Sequence, residues 1–140
     1  RDSSLETADT TRADRIVREM IGPLLPASAI ITTRVSYYDF ADIGRKERWN
    51  DVNNNGTCDS QESYVDENRN GSWNADIGVS GNGGAGDVVL YTATVTYPRL
   101  FPMYSMAGLP NNVTIEASTV LRNQPFDEQN DRVTTPGNCP

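Results

Sequence analysis

The chain has 140 residues, a formal net charge of −7 and a pI of about 4.5. Its length suits one domain, which buries roughly two-thirds of the surface of the unfolded chain. The acidic balance argues against nucleic acid or an anionic membrane as partner, since both need basic patches. No apolar run approaches a membrane span, and the lack of any histidine removes imidazole both as a base and as a metal ligand.

From the N-terminus, residues 3–22 predict a helix. Ala13, Ile16, Val17, Met20, Ile21 and Leu24 recur at three- and four-residue steps and form one apolar stripe, which Pro23 and Pro26 stop. The half from Ser3 to Asp14 is almost wholly polar, with Ser3 and Glu6 spaced as a capping box. Residues 27–39, rich in Ile, Thr, Val and Tyr, predict a first strand. Residues 49–78 form an insertion, and the glycine run from Gly78 to Gly86 reads as a flexible linker or a loop ordered by its neighbours. No lysine or helix start follows that run, so it carries no phosphate-binding signature.

Residues 87–97 predict the clearest strand, which Pro98 ends. The apolar connection from Pro98 to Pro110 suggests a short helix at 99–107. Its Met and aromatic residues serve either as core or as a partner surface. Residues 112–122 predict a third strand, with Val113, Ile115, Ala117, Thr119 and Leu121 on one face. The 126–140 tail is polar, and its order depends on whether Cys139 pins it. Together these elements predict a single α+β domain, an amphipathic helix packed on a small antiparallel sheet, with the insertion between strands one and two projecting from one end.

The insertion carries the chemistry. Asp51, Asn53, Asn55, Gly56 and Glu62 fit the twelve-residue calcium-loop pattern at every specified place. Calcium takes six to eight oxygens, and alternate side chains supply three. The Thr57 carbonyl adds another, Asp59 binds directly or through water, and Glu62 closes the shell with two. Asn, Asp and Gly clusters otherwise form simple turns. A second copy in register, Asp66, Asn68, Asn70, Gly71, Ser72, Asn74 and Asp76, favours the metal reading. Asp51 and Asp66 lie fifteen residues apart, so only Ser63, Tyr64 and Val65 separate the loops. That gap leaves no room for EF-hand or dockerin helices. The second loop has Ile77 at its twelfth position, where no glutamate closes it. Asp76 substitutes from one place earlier, or the site borrows Glu62 or another residue of loop one and is the weaker of the two. One or two Ca²⁺ ions are expected.

Cys58 and Cys139 are expected to bridge, as suits an oxidising compartment, the alternative being two unrelated thiols. Asn-rich loops with few carboxylates suit weak extracellular calcium sites. The sequons at Asn55, Asn70 and Asn112 read as chance. The chain opens on Arg1 rather than Met, as expected of a processed form, and nothing at its start reads as a signal peptide.

Three stretches carry a family resemblance: Tyr37–Tyr38–Asp39–Phe40–Ala41–Asp42–Ile43–Gly44, Val95–Thr96–Tyr97–Pro98 and Ala117–Ser118–Thr119–Val120–Leu121–Arg122–Asn123–Gln124–Pro125–Phe126. With the leading helix and tandem loops, the chain resembles a TadE-like protein of the tight-adherence pilus machinery. Gln124 stands where family members usually carry Glu. The resemblance implies a bacterial, exported, non-enzymatic minor pilin or pseudopilin whose partners are other pilus subunits. It also implies that Arg1 follows a removed membrane and filament helix, through which alone the protein would meet a membrane.

Two functions suit these residues. The first is a calcium-stabilised assembly subunit. The second is a calcium-dependent adhesion or carbohydrate-binding module, for which Trp49, Tyr64 and Trp73 around the loops would be the contacts. Catalysis has no constellation to carry it, and Asp39 and Asp42 suit surface or turn roles.

Overall fold

The computed structural model describes residues 3–24, 28–99, 106–125 and 128–140, with helix side chains from residue 12 onward. Pro26, most of the 99–107 connection and Phe126 lie outside the described residues. The elements in chain order are α1 (Ser3–Ile21), β1 (Ala29–Tyr37), a 3-10 turn (Phe40–Asp42), β2 (Ser63–Asp66), β3 (Val79–Ser80), β4 (Val88–Pro98), β5 (Asn112–Arg122) and β6 (Thr135–Asn138). One sheet has the order β3-β1-β4-β5, and β2 pairs with β6 in a second. Residues Arg1–Arg34 with Tyr91–Val120 form one compact unit, and Val35–Leu90 with Leu121–Pro140 form another.

In the first unit the expected α+β packing does not occur: the chain is mostly sheet, and α1 does not lay its apolar stripe on the strands. Met20 and Leu24 are 67% and 78% exposed, and Ile16 is exposed as well. The tie from α1 to the strands is polar. Asp14 accepts hydrogen bonds from the Arg34 guanidinium and from Tyr91 Oη, the latter at 2.7 Å. Apolar periodicity marks which residues share a helix face, but it carries no information about what covers that face. The expected dry face of β5 differs in the same way, since Ile115 lies exposed. Between β4 and β5, hydroxyls meet in cross-strand pairs, Thr92 with Ser118 at 3.0 Å and Thr96 with Thr114 at 3.2 Å.

The second unit holds the insertion, and two strands absent from the expectation organise it. β2 occupies Ser63–Asp66, the short stretch between the loops. β6 lies in the C-terminal tail and pairs antiparallel with it, Tyr64 opposite Gly137. On its other side, β2 meets residues 48–50. The Val65 and Asn50 N–H groups donate to the Arg48 and Ser63 carbonyls, both at 2.8 Å, and Trp49 bridges to Tyr64. Cys58, Tyr64 and Cys139 are buried together, with Trp49 and Trp73 packed against them.

The glycine run is ordered by its neighbours. The Asn123 amide donates to the carbonyls of Asn82 and Gly84, and Arg122 donates to that of Gly86. β3, at the start of the run, pairs with β1 through Val35 and Ser36.

Candidate metal centre

Each loop starts from an aspartate that folds the chain back on itself. Asp51 accepts hydrogen bonds from Asn55 N–H at 3.1 Å and Gly56 N–H at 2.9 Å, one on each carboxylate oxygen. Asp66 does the same with Asn70 at 3.1 Å and Gly71 at 2.8 Å. The backbone conformation repeats as well. Asn54 and Arg69, at the fourth position of each loop, both have φ of 58°, and Gly56 and Gly71, at the sixth, both have φ of 77°. Only glycine adopts the latter readily.

The central side chains converge in both loops. The Asn53 and Asn55 amides donate to the Asp59 carboxylate. One repeat later, the Asn68 and Asn70 amides donate to Asn74 Oδ1, at 3.0 and 2.6 Å. These bonds hold the Asp59 carboxyl below the ordinary aspartate range, with Asn55 the larger influence and Asn53 the smaller. Thr57 and Ser72 N–H groups donate to Asn55 and Asn70 Oδ1, each at 2.8 Å. The side chains of positions three and five thus converge on position nine in each loop, and their Oδ1 atoms accept from the loop backbone.

Loop one closes on Glu62, which is 4% exposed. One of its oxygens accepts from Val52 N–H at 2.8 Å and the other from Asp59 N–H at 3.1 Å, the second and ninth positions. The sequence offered Asp76 or Glu62 for the closure of loop two, and Glu62 is engaged with loop one. Ile77 is buried as an apolar residue. Asp76 turns away, accepting from Tyr37 Oη and Gly78 N–H, both at 2.9 Å. That contact and burial push the Tyr37 phenol up to about 12, burial being the larger cause.

Glu47, unremarked in the sequence, occupies the vacant role. It is fully buried, with one oxygen accepting from Glu67 N–H at 2.8 Å and Asn68 N–H at 3.4 Å, and the other from Asn74 N–H at 2.9 Å. The signal that would have found it is spacing: Glu47 precedes Glu62 by the same fifteen residues that separate Asp51 from Asp66.

The site is braced from two sides. Cys58, at the eighth position of loop one, is bonded to Cys139 across 81 residues of sequence, with 5.3 Å between the Cα atoms. Trp73, the equivalent position of loop two, donates its indole N–H to the Glu47 carbonyl at 3.2 Å and meets Trp49 edge-on at 5.2 Å. A charge network flanks loop two: Arg45, Arg48 and Arg132 all reach Glu67, and Arg45 and Arg132 also reach Asp42. The Arg45 bonds, ahead of the opposing effect of burial, hold the Glu67 carboxyl down to about 2. Burial raises Asp42, but the Arg132 and Arg45 bonds outweigh it and hold that carboxyl low.

Among the described residues, no three His, Cys, Asp or Glu side chains cluster as a metal site by themselves. Each loop offers amide and carbonyl groups beside its carboxylates, a donor set that would suit a hard cation and not zinc or copper. No helix among the described residues is long and apolar enough to cross a membrane. No family model, curated protein or solved structure matches this chain.

Proposed function

We propose that this chain is a calcium-binding structural subunit, exported and non-enzymatic, acting in assembly as a minor pilin or pseudopilin of a tight-adherence pilus. The observation that carries the calcium part is the repetition of one loop conformation, with equal φ at the fourth and sixth positions and the same aspartate and asparagine bonds in both copies. Asp51, Asn53, Asn55, Thr57, Asp59 and Glu62 would hold one ion. Asp66, Asn68, Asn70 and Ser72 would hold a second. A bound cation would supply positive charge to a segment rich in acid, so calcium would act on folding and surface shape. The pilus part rests on the sequence resemblance, with other pilus or pseudopilin subunits as the partners.

The carbohydrate reading draws less support, because Trp49, Tyr64 and Trp73 pack around the disulfide. Their side chains are occupied in holding the loop pair together.

Calorimetric titration of the oxidised protein tests the calcium reading. Affinities of roughly 10⁻⁵ to 10⁻³ M are expected, weakened most by Asp51→Ala or Glu62→Gln, with magnesium a poor substitute because it demands octahedral geometry. No calcium heat, together with a melting temperature indifferent to calcium and chelator, would sink it. The pilus reading is tested separately, by crosslinking in the native bacterium and identifying the captured proteins. Capture that lacks any pilus or pseudopilin subunit counts against it.

A further inference from the structure

We propose that Glu47 is the closing ligand of the second calcium site, and that the two loops exchange their glutamates: Glu47, ahead of loop one, closes loop two, while Glu62, ahead of loop two, closes loop one. The proposal rests on the calcium reading above and adds to it a residue that the loop pattern does not contain.

The exchange follows from a local two-fold relation. The insertion holds two copies of one unit set fifteen residues apart, Glu47 to Asp59 and Glu62 to Asn74, in which Glu, an aromatic, Asp, Asn, Asn, Gly, a hydroxyl residue and Asp or Asn recur at matching places. The units meet antiparallel through equivalent residues. Trp49 bridges to Tyr64, its own counterpart. The two backbone bonds beside them, Val65 to Arg48 and Asn50 to Ser63, interconvert when the units are swapped, and both measure 2.8 Å. A two-fold axis at that bridge carries Glu62 onto Glu47 and loop one onto loop two. The contacts obey it. Glu62 spans the N–H groups of Val52 and Asp59, and Glu47 spans those of Glu67 and Asn74, the same second and ninth positions.

Burial gives a second and independent reason. Glu47 is 0% exposed, and Glu62 and Asp66 are each 4% exposed. None of the three forms an ion pair among the described residues. The nearby arginines are engaged with Glu67 and Asp42 instead. Buried charges in proteins are paired or coordinate metals, because desolvating a lone carboxylate is costly. Backbone N–H groups orient the Glu47 carboxylate, but they leave its charge without a counter-charge. A divalent cation held between Glu47 and Asp66 provides one. Ile77 then has no ligand role to fill, which explains why an apolar residue is tolerated at the twelfth position of loop two.

The test is calcium stoichiometry by calorimetry on three oxidised proteins, each checked for fold by circular dichroism and for an intact disulfide by thiol titration. Wild type is expected to bind two ions. Glu47→Gln should weaken one site more than about tenfold and leave the other within about threefold. Glu62→Gln should remove the opposite ion. Two undiminished ions in Glu47→Gln overturn the exchange while leaving the calcium reading intact. No ion in wild type overturns both. A wild type that binds one ion supports the exchange only if Glu47→Gln abolishes it, and otherwise overturns it. Should Glu47→Gln fail to fold, anomalous diffraction from wild-type crystals soaked in terbium decides the matter. A peak bonded to the Glu47 carboxylate at about 2.3–2.6 Å is expected, and no peak there refutes it.

Discussion

Gly56 and Gly71 bear the conformational demand of the loops. At both, an added Cβ would meet nothing within 4 Å, so the penalty for a side chain is backbone strain at φ of 77° and not a clash. Gly56→Ala is expected to destabilise the protein by about 1–2 kcal/mol, and Gly71→Ala by a similar amount, as read from denaturant midpoints in chelator. A loss above about 4 kcal/mol would point to a packing role that the open surroundings contradict. The acidic residues beside the loops set the response to pH. Glu67 falls from an ordinary 4.5 to about 2 in the folded state. Its contribution is therefore complete above about pH 4.5 and lost as pH falls toward 2, because the unfolded chain takes up the proton first. At about 1.4 kcal/mol for each pKa unit between 4.5 and 2, the contribution is about 3–4 kcal/mol. Acid titration of the calcium-free protein should show this loss, and Glu67→Gln should flatten the curve in that window. An unchanged slope in the variant would contradict it.

At the scale of elements, β6 explains why the tail is ordered. Its sequence, Thr135–Pro–Gly–Asn138, has little strand propensity of its own. Pairing with β2, and the bond from Cys139 N–H to the Glu62 carbonyl at 2.9 Å, hold it in place. Gly137 is required there because a Cβ would lie 2.4 Å from the Tyr64 ring, which is itself buried. Gly137→Ala should displace that ring and destabilise the protein by about 1–3 kcal/mol. Calcium affinity should fall with it, since Tyr64 lies at the junction of the two loops. A melting temperature and an affinity both at wild-type values would show that the ring moves freely.

For the molecule as a whole, the proposed metal and the disulfide would act on the same segment. Calcium present at about 100 times its dissociation constant should stabilise the fold by about 2.7 kcal/mol. The Cys58–Cys139 bond closes a segment of 81 residues, for which the chain-entropy relation gives about 4 kcal/mol. The two effects should be coupled. Reduction frees β6 from loop one and leaves the loops less ordered before binding, so calcium affinity should drop in the reduced protein. Titrations with and without reductant, thiols blocked in the second case, measure this directly. Equal affinities would refute the coupling.

The opening turn of each loop was legible in the sequence, because the bonds that make it are local. Asp51, Asn55 and Gly56, and their counterparts Asp66, Asn70 and Gly71, act on backbone a few residues away, so their spacing alone specifies the turn. The pairing of Cys58 with Cys139 was expected from the two cysteines and the compartment, and the tertiary structure brings them together. Three matters were decided by tertiary structure alone. The stripe on α1 marked a face but not its cover, and Ile16, Met20 and Leu24 lie exposed. β6 formed from a segment of low propensity because a partner strand was waiting at Tyr64. The closure of loop two came from Glu47, nineteen residues before Asp66, because antiparallel pairing at Trp49 and Tyr64 carries each glutamate to the other loop. Local hydrogen bonding is written in short spacings, whereas burial and partner choice depend on which distant segments meet.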